Sequence, residues 1–283
     1  MIWTFREHSF DLSSRGLILG IVNVTPDSFS DGGALVDTET ACLHGLKLLE
    51  DGADILDIGG ESTRPGAAPV SEKEEMRRVV PVVAALRART SAPLSIDTSK
   101  ASVAEAALNA GASIINDVSA LGDSRMGALA SARGVGLILM HMQGTPETMQ
   151  EHPEYPEDDV LEAVAKFLSE RREAAIGFGV DATAIILDPG LGFGKTVAHN
   201  LALLRGIPTL AALGSPVLIG HSRKSFLGAF LGGHDTAKDP STPRLTAGIA
   251  VTALAYAAGA RLFRVHDAAP HRIALGVSGE VVS

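Results

Sequence analysis

Polar side chains stand at the end of most of the short apolar runs in this sequence, and their types could do chemistry. The runs end in Asn23, Asp57, Asp97, Asn116 and Asp188, and two later runs lead into Ser222-Arg223-Lys224 and Arg264-Val265-His266-Asp267. At any single position, a helix N-cap or a turn is the simpler interpretation. Recurrence on most of the runs instead favours one shared site. Carboxylate, amide and ammonium groups together offer donors and acceptors for a flat heterocycle rich in hydrogen-bonding groups.

Two polar segments next to these run ends are too long for simple strand-to-helix turns. Residues 23–33 read NVTPDSFSDGG, and residues 59–67 read GGESTRPGA. Both are rich in Gly, Pro, Ser and Thr, which is typical of loops that close over a site. An ordinary surface loop is the alternative, although it does not account for Phe29 and Arg64.

Several other kinds of site are excluded or disfavoured. Residues 190–196, GLGFGKT, look like a phosphate-binding loop, but a Walker A sequence requires Gly where Pro189 stands. Lys195 occupies the third glycine position of a dinucleotide-binding pattern. The nine histidines lack metalloprotease spacing, and the single cysteine, Cys42, excludes an internal disulfide and a Cys-rich zinc site. With 24 basic and 33 acidic residues, the net charge of −9 gives no electrostatic basis for binding nucleic acid.

The elements that must position these residues alternate between short apolar runs and longer amphipathic stretches. The runs lack the polar–apolar alternation of half-exposed strands, which is typical of parallel strands buried on both faces. Strands are predicted at 17–23, 54–58, 94–97, 113–117, 136–140, 184–188, 216–220 and 261–265. Helices are predicted at 38–51, 72–90, 100–110, 123–133, 157–178, 198–212 and 242–258. In the second helix, we expect Ser71 and Glu74 to form a capping box and Pro81 to kink or divide it.

Eight such units in 283 residues predict an α/β fold, a single (β/α)8 TIM barrel. A doubly wound open sheet is the main alternative, because strand counting does not distinguish the two. We expect residues 1–15 to close the barrel bottom and residues 16–283 to form the catalytic domain.

The composition allows one large core, with 46% hydrophobic and 20% charged residues. No apolar run approaches the roughly 20 residues needed to span a bilayer. The amino terminus, with Arg6, Glu7, His8 and Asp11, does not resemble a signal peptide. We therefore expect a cytoplasmic protein without membrane association.

From residue 16 onward, the motifs together resemble the dihydropteroate synthase family. They are NVTPDSFSDGG (23–33), GGESTRPGA (59–67), SIDTSK (95–100), INDVSA (115–120), LMHMQGTPETMQ (139–150), LDPGLGFGKT (187–196), GHSRKSFLG (220–228) and RVHD (264–267). The resemblance implies a (β/α)8 barrel that joins 6-hydroxymethyl-7,8-dihydropterin diphosphate to 4-aminobenzoate in folate biosynthesis. It also implies sulfonamide competition at the aminobenzoate site, a Mg²⁺ cofactor and a homodimer formed through the late helices.

The resemblance also implies roles for individual residues. The catalytic residues would be Asp97, Asp188, Lys224 and Arg64. The pterin would be bound by Asp97, Asn116, Met140, Asp188, Phe193, Lys224 and Arg264. The diphosphate would be bound by Asn23, Thr63, Arg64, Arg264 and His266. The remaining residues would be Phe29, Pro65 and Ser225 at the aminobenzoate and Asn23 and Asp31 at Mg²⁺.

The implied chemistry is a dissociative substitution in which diphosphate leaves before the arylamine attacks. This path needs no strong general base, which fits the absence of an obvious nucleophile–histidine pair. His221 and Ala268 depart from the usual pattern of the family but remove no chemical group. The alternatives are a pterin-dependent methyltransferase, which would lack the two loops and Ser222-Arg223-Lys224, and an inactive pterin-binding paralogue.

Overall fold

The computed structural model describes residues 1–24, 34–64, 66–151, 153–155, 159–231 and 241–282. Its strands are β1 (Ile2–Phe5), β2 (His8–Asp11), β3 (Leu17–Asn23), β4 (Ile55–Gly59), β5 (Leu94–Asp97), β6 (Ile114–Asp117), β7 (Gly136–Met140), β8 (Ile185–Asp188), β9 (Leu218–Ile219) and β10 (Leu262–Val265). Its helices are α1 (Ala34–Glu50), α2 (Glu72–Arg87), α3 (Ala101–Ala110), α4 (Met126–Arg133), α5 (Val160–Gly177), α6 (Val197–Arg205), α7 (Ile207–Ala211), α8 (Ser241–Ala257) and α9 (Ala268–Val282).

Strands β3 to β10 form one parallel sheet in the order β8-β7-β6-β5-β4-β3-β10-β9. The two edges meet where Leu187 of β8 forms a parallel bridge with Val217, just before β9. The Leu187 amide also donates to the carbonyl of Pro216 over 3.0 Å. The sheet therefore closes on itself, which confirms the predicted TIM barrel and excludes the open sheet.

The register brings the predicted strand ends to one level of the barrel. Asn23 pairs with Gly59, Gly59 with Asp97, and Asp97 with Asn116. Farther round, Met140 pairs with Asp188. Because all eight strands run in the same direction, these carboxyl ends surround a single mouth.

The barrel strands are buried on both faces, as their unbroken apolar sequences predict. Every residue of β4 and β7 is buried, and helices α1, α2, α5 and α9 pack against barrel strands. Ser71 caps α2 by accepting from the Glu74 amide over 3.3 Å, and the helix runs through Pro81 without being divided. No helix among the described residues has the length and apolar character to cross a membrane.

A short antiparallel hairpin of β1 and β2 precedes the barrel. Trp3 is fully buried, and its indole Nε1 donates to the Ala184 carbonyl, directly before β8, over 3.0 Å. The Arg6 amide donates to the carbonyl of Gly134, just before β7, over 3.0 Å. The hairpin therefore contacts the amino ends of these strands, opposite the mouth.

Candidate active site

A guanidinium group links two carboxylates in the mouth of the barrel. Arg264 Nε on β10 donates to Asp57 Oδ2 over 2.6 Å, and its Nη2 donates to Asp97 Oδ2, also over 2.6 Å. Asn116 Nδ2 donates to the same Asp57 oxygen over 3.1 Å. Four different strands, β10, β4, β5 and β6, thus each contribute one member of a network that no single segment contains.

Burial and neighbouring charges give the members of this network different protonation behaviour. Burial raises the pKa of Asp97 to about 7; Asp57 and Asp188 add to the increase, and Arg264 opposes it. Although burial alone would lower it, the carboxylates of Asp57 and Asp97 raise the pKa of Arg264 above its usual value. Arg264 is therefore permanently charged, whereas Asp97 can gain or lose a proton near neutral pH.

A carboxylate and an ammonium group, the buried Asp188 and the half-buried Lys224, lie beside the network. Asp188 Oδ1 accepts from the Gly190 amide over 2.7 Å, and burial raises the pKa of this carboxyl. Burial lowers the pKa of Lys224 to about 7, with Asp188 opposing the decrease. The Lys224 ammonium donates to the Leu191 carbonyl and lies 4.3 Å from the centroid of the Phe193 ring. This distance is within the range of a cation–π contact.

Two apolar side chains lie next to these polar groups. Met140 is buried at the end of β7, next to Asp188 in the register. Phe193 is half-buried in the loop that follows β8. Polar groups below and apolar groups beside them suit a flat ring with hydrogen-bonding edges.

His266 and Ser222 connect the ends of β10 and β9. The His266 amide and ring Nδ1 lie 3.2 and 3.0 Å from Ser222 Oγ, so Nε2 remains as the ring nitrogen for a ligand. Burial, Arg223 and Arg264 together lower the pKa of His266 to about 3. His266 is therefore a neutral imidazole at pH 7.

The loop after β4 is anchored at its base by an ionic cluster. Lys100 Nζ lies 2.7 Å from Glu61 Oε2 and 2.5 Å from Glu75 Oε2, and Glu75 is fully buried. Arg78 Nη1 donates to the Gly60 carbonyl over 2.8 Å. The loop residues held by these contacts, Gly60 and Glu61, come just before the half-buried Thr63 and the exposed Arg64.

The remaining predicted site residues are placed less centrally or are not described. Ser225 is exposed at the start of a short 3₁₀ turn over Ser225–Phe230. Phe29, Asp31 and Pro65 lie outside the described residues.

Sequence reasoning recognised Asp57 as a strand end but gave it no role in the site. It likewise did not predict Ser222, Glu61 or Lys100 as supports. Their partners are distant in the chain, so their only sequence signal was proximity to a predicted site residue.

The described residues contain no group of three or more His, Cys, Asp or Glu side chains suited to a metal ion. Mg²⁺ does not require one, because it retains waters and often takes one or two protein oxygens together with substrate phosphates. Asn23 lies half-buried at the carboxyl end of β3, and its amide oxygen is a ligand of the kind Mg²⁺ accepts. The donor chemistry present is compatible with the ion.

Comparison with known proteins gives a consistent assignment. A family model described as pterin binding enzyme matches residues 19–266. Dihydropteroate synthase of Mycobacterium leprae is 46% identical over 264 residues, covering 93% of this chain and 92% of the relative. The structure of the Xanthomonas albilineans dihydropteroate synthase with 4-aminobenzoic acid is 45% identical, with a TM-score of 0.89 over 99% of this chain and 97% of that chain. The same enzyme in complex with 7,8-dihydropteroate is 43% identical, with a TM-score of 0.87 over 99% and 98%. With this identity along nearly its whole length, the chain belongs to the dihydropteroate synthase family of pterin-binding transferases.

Proposed function

We propose that the mouth of this barrel joins 6-hydroxymethyl-7,8-dihydropterin diphosphate to 4-aminobenzoate, releasing diphosphate and 7,8-dihydropteroate. The observation that carries the proposal is a set of hydrogen-bonding groups from separate strands, the buried Asn116 and Asp188 and the largely buried Asp97, together with Lys224 against the Phe193 ring. Relatives with 4-aminobenzoic acid and 7,8-dihydropteroate bound support the same assignment.

The pterin is assigned to the polar floor of the mouth. An ionised carboxylate at Asp97 or Asp188 can accept two N–H groups from an amino-pyrimidine edge. Asn116 can donate and accept, and Lys224 donates to a ring acceptor in place of the Leu191 carbonyl. Met140 and Phe193 provide the apolar walls, while the guanidinium of Arg264 faces the ring.

The diphosphate is assigned to the rim. Arg64 and Arg264 supply permanent charge, whereas Asn23, Thr63 and the neutral His266 supply hydrogen bonds. Mg²⁺, held by the side-chain oxygen of Asn23 and by Asp31, would neutralise charge on the diphosphate when bound.

The reaction is a substitution at the exocyclic methylene of the pterin. The bond between this carbon and the diphosphate oxygen breaks, and its electron pair leaves with diphosphate. The resulting cation is delocalised into the dihydropterin ring, where Asp97 and Asp188 stabilise it electrostatically. The amino nitrogen of 4-aminobenzoate then forms the new carbon–nitrogen bond and loses a proton. Phe29, Pro65 and Ser225 are proposed to hold the aminobenzoate.

A turnover assay with both substrates tests the proposal. We expect diphosphate and 7,8-dihydropteroate in equal amounts, with no diphosphate beyond background when the pterin carries only a hydroxymethyl group. Asp188→Asn should weaken pterin binding about 10- to 150-fold, the cost of losing a hydrogen bond to a buried charge. Asp54→Asn, at the amino end of the barrel, is the matched control.

Two alternatives give different results in this assay. Pterin-dependent methyl transfer would release no diphosphate, and relatives at 44–48% identity are dihydropteroate synthases rather than methyltransferases. An inactive paralogue would bind the pterin without turnover. Turnover that is absent while pterin binding is normal would overturn the proposed activity.

We further propose a homodimer formed through α8 and α9. Ile273, Val277 and Val281 are 69, 62 and 78% exposed and recur every four residues, so they form one apolar stripe on α9. Leu254 of the neighbouring helix α8 is 72% exposed. Ultracentrifugation should show a dimer that Val277→Glu dissociates; an unchanged sedimentation coefficient would contradict this interface.

The proposed compartment is the cytoplasm. Cys42 is a free, buried thiol, which is consistent with a reducing environment. Recovery of the enzyme from the cytoplasmic fraction of its source cells is the expected result.

A further inference from the structure

Four successive peptide carbonyls in the loop after β8 each accept a hydrogen bond from a side chain. The pairs are Leu191 O with Lys224 Nζ, Gly192 O with Gln150 Nε2 at 2.7 Å, Phe193 O with Lys195 Nζ at 2.9 Å, and Gly194 O with Tyr155 Oη at 2.8 Å. Gly192 and Gly194, on either side of Phe193, have φ angles of +80° and +63°. Glycine adopts such positive angles without steric strain, but ordering a glycine costs more conformational entropy than ordering any other residue. The side-chain bonds therefore fix a segment that has no regular secondary structure of its own.

Lys195 is the most deeply buried donor of the four. Its side chain reaches between two loops, because Nζ also lies 3.0 Å from Nδ1 of His141, the first residue after β7. Lys195 is 3% exposed, and both acceptors named for its ammonium are neutral. Burial, with a further contribution from Lys224, lowers the pKa of Lys195 to about 7. An apolar side chain of similar length would fill this space without the cost of burying a charge.

This arrangement fixes the backbone of Phe193. Its ring is only half-buried, so the core does not determine where the ring lies. The ring position depends on the backbone, which is held by the Phe193 amide donating to Gly190 O over 3.1 Å and by the Lys195 bond to the Phe193 carbonyl. Through the same Nζ atom, Lys195 also contacts His141, which directly follows the strand that ends in Met140.

We propose that Lys195 is a positioning residue for pterin binding, because it holds the backbone of Phe193 against the end of β7. The Phe193 ring and Met140 are thereby kept at a separation that accommodates a flat heterocycle. Lys195 acts through Phe193 and does not touch the substrate. The inference rests on the proposed function, because it assigns Phe193 to the pterin.

A double-mutant cycle tests this inference, with 6-hydroxymethylpterin as the calorimetric probe. Phe193→Ala should weaken binding about 5- to 150-fold, as for stacking of a base on an aromatic ring. Lys195→Met should weaken it about three- to tenfold, the effect of one hydrogen bond. If Lys195 acts through Phe193, the double variant should bind no more weakly than Phe193→Ala alone. In turnover, Lys195→Met should raise the KM for the pterin substrate and leave that for 4-aminobenzoate unchanged.

Controls separate this inference from the pocket assignment and from general destabilisation. Lys166→Met, an exposed lysine on α5, should leave all values unchanged. If Lys195→Met does not fold, Lys195→Gln replaces it in the cycle. Losses that add in the double variant, or binding by the Lys195 variant within twofold of wild type, would overturn the positioning role. Weaker pterin binding by Phe193→Ala and Asp188→Asn would still support the proposed pterin pocket. Normal pterin binding by both variants would contradict the assignment of the pocket.

Discussion

Arg264 and Asp57 lie 207 residues apart in the chain, yet Arg264 Nε donates to Asp57 Oδ2 over 2.6 Å. Asp57 is fully buried and stands two residues before the end of β4, whereas Asp97 pairs with Gly59 at that end. Asp57 is therefore one layer deeper in the barrel than Asp97. From there it orients the guanidinium from below and leaves Asp97 nearer the mouth.

Asp57→Asn should impair the site without removing a residue assigned to the substrate. Arg264 would lose one charge-assisted bond, so we expect kcat/KM to fall about 10- to 150-fold. Asp57 also helps to raise the pKa of Asp97, and its loss should shift the pH midpoint of pterin binding downward. Steady-state kinetics and calorimetry across pH measure both effects.

Asp54→Asn is a control at the other end of the same barrel segment, where Asp54 pairs with Arg15 and Arg272. It should leave pterin affinity and its pH profile unchanged. Equal effects of the two substitutions would mean that Asp57 acts only on stability.

The barrel could be predicted from the sequence because buried parallel strands leave a local signal. The predicted strands at 94–97 and 136–140 begin and end at the residues observed in the structure. The polar residues at the ends of the apolar runs correctly indicated the mouth of the barrel. Helix α9 was not predicted, since its 15 residues include Pro270 and two glycines, which lower helix propensity. The predicted helix at 198–212 is two helices that meet at Gly206.

The supports of the site could not be predicted in the same way. The sequence places Lys195 in two rejected ligand-binding patterns and in the motif at 187–196 but assigns it no role, because its position between two loops depends on the fold. The pairing of Arg264 with Asp57 likewise requires the register of β10, β3 and β4. Hydrogen bonds between distant residues have no periodic pattern in the sequence.

Pterin binding should weaken as pH falls below neutrality. Asp97 must be ionised to accept N–H groups, and its pKa in the free protein is raised to about 7. Protonation therefore competes with the ligand below this pH, and affinity should fall by up to about tenfold per pH unit. Calorimetric titrations between pH 5 and 8 measure the profile. Asp97→Asn should abolish this loss of affinity at low pH. If the variant kept the same pH dependence, a group other than Asp97 would be the one that titrates.

Arg64→Ala should separate diphosphate recognition from pterin recognition. Arg64 is exposed at the rim, away from the buried floor, so its loss should lower kcat/KM for the pterin diphosphate about 10- to 150-fold. Affinity for 6-hydroxymethylpterin should remain within twofold of wild type. Lys73→Ala, an exposed residue of α2, is the control. A similar loss for the pterin without diphosphate would mean that Arg64 contacts the ring.

His221 belongs to a buried hydrogen-bond chain behind the turn that carries Lys224. Its Nε2 lies 2.9 Å from the Gly248 carbonyl and 3.0 Å from Thr252 Oγ1 on α8. Thr252 Oγ1 lies 2.8 Å from His271 Nδ1 on α9. His221 thus links the end of β9 to the two helices through neutral imidazoles, and burial lowers its pKa to about 3 from an ordinary 6.5.

This shift predicts a specific loss of stability in acid. Between pH 6.5 and 3, the unfolded chain binds a proton at His221 and the folded chain does not, so the free energy of unfolding falls as pH decreases. From pH 7.5 to 5.5 the contribution of this one residue is about 1.4 kcal/mol. His221→Gln removes the titrating group, and its free energy of unfolding should therefore fall by about 1.4 kcal/mol less than that of wild type over the same interval. Urea denaturation at the two pH values measures the difference, which is independent of any stability lost at pH 7.5. Equal falls in the two proteins would show that His221 is already protonated in the folded chain, or that its pKa is unchanged by folding.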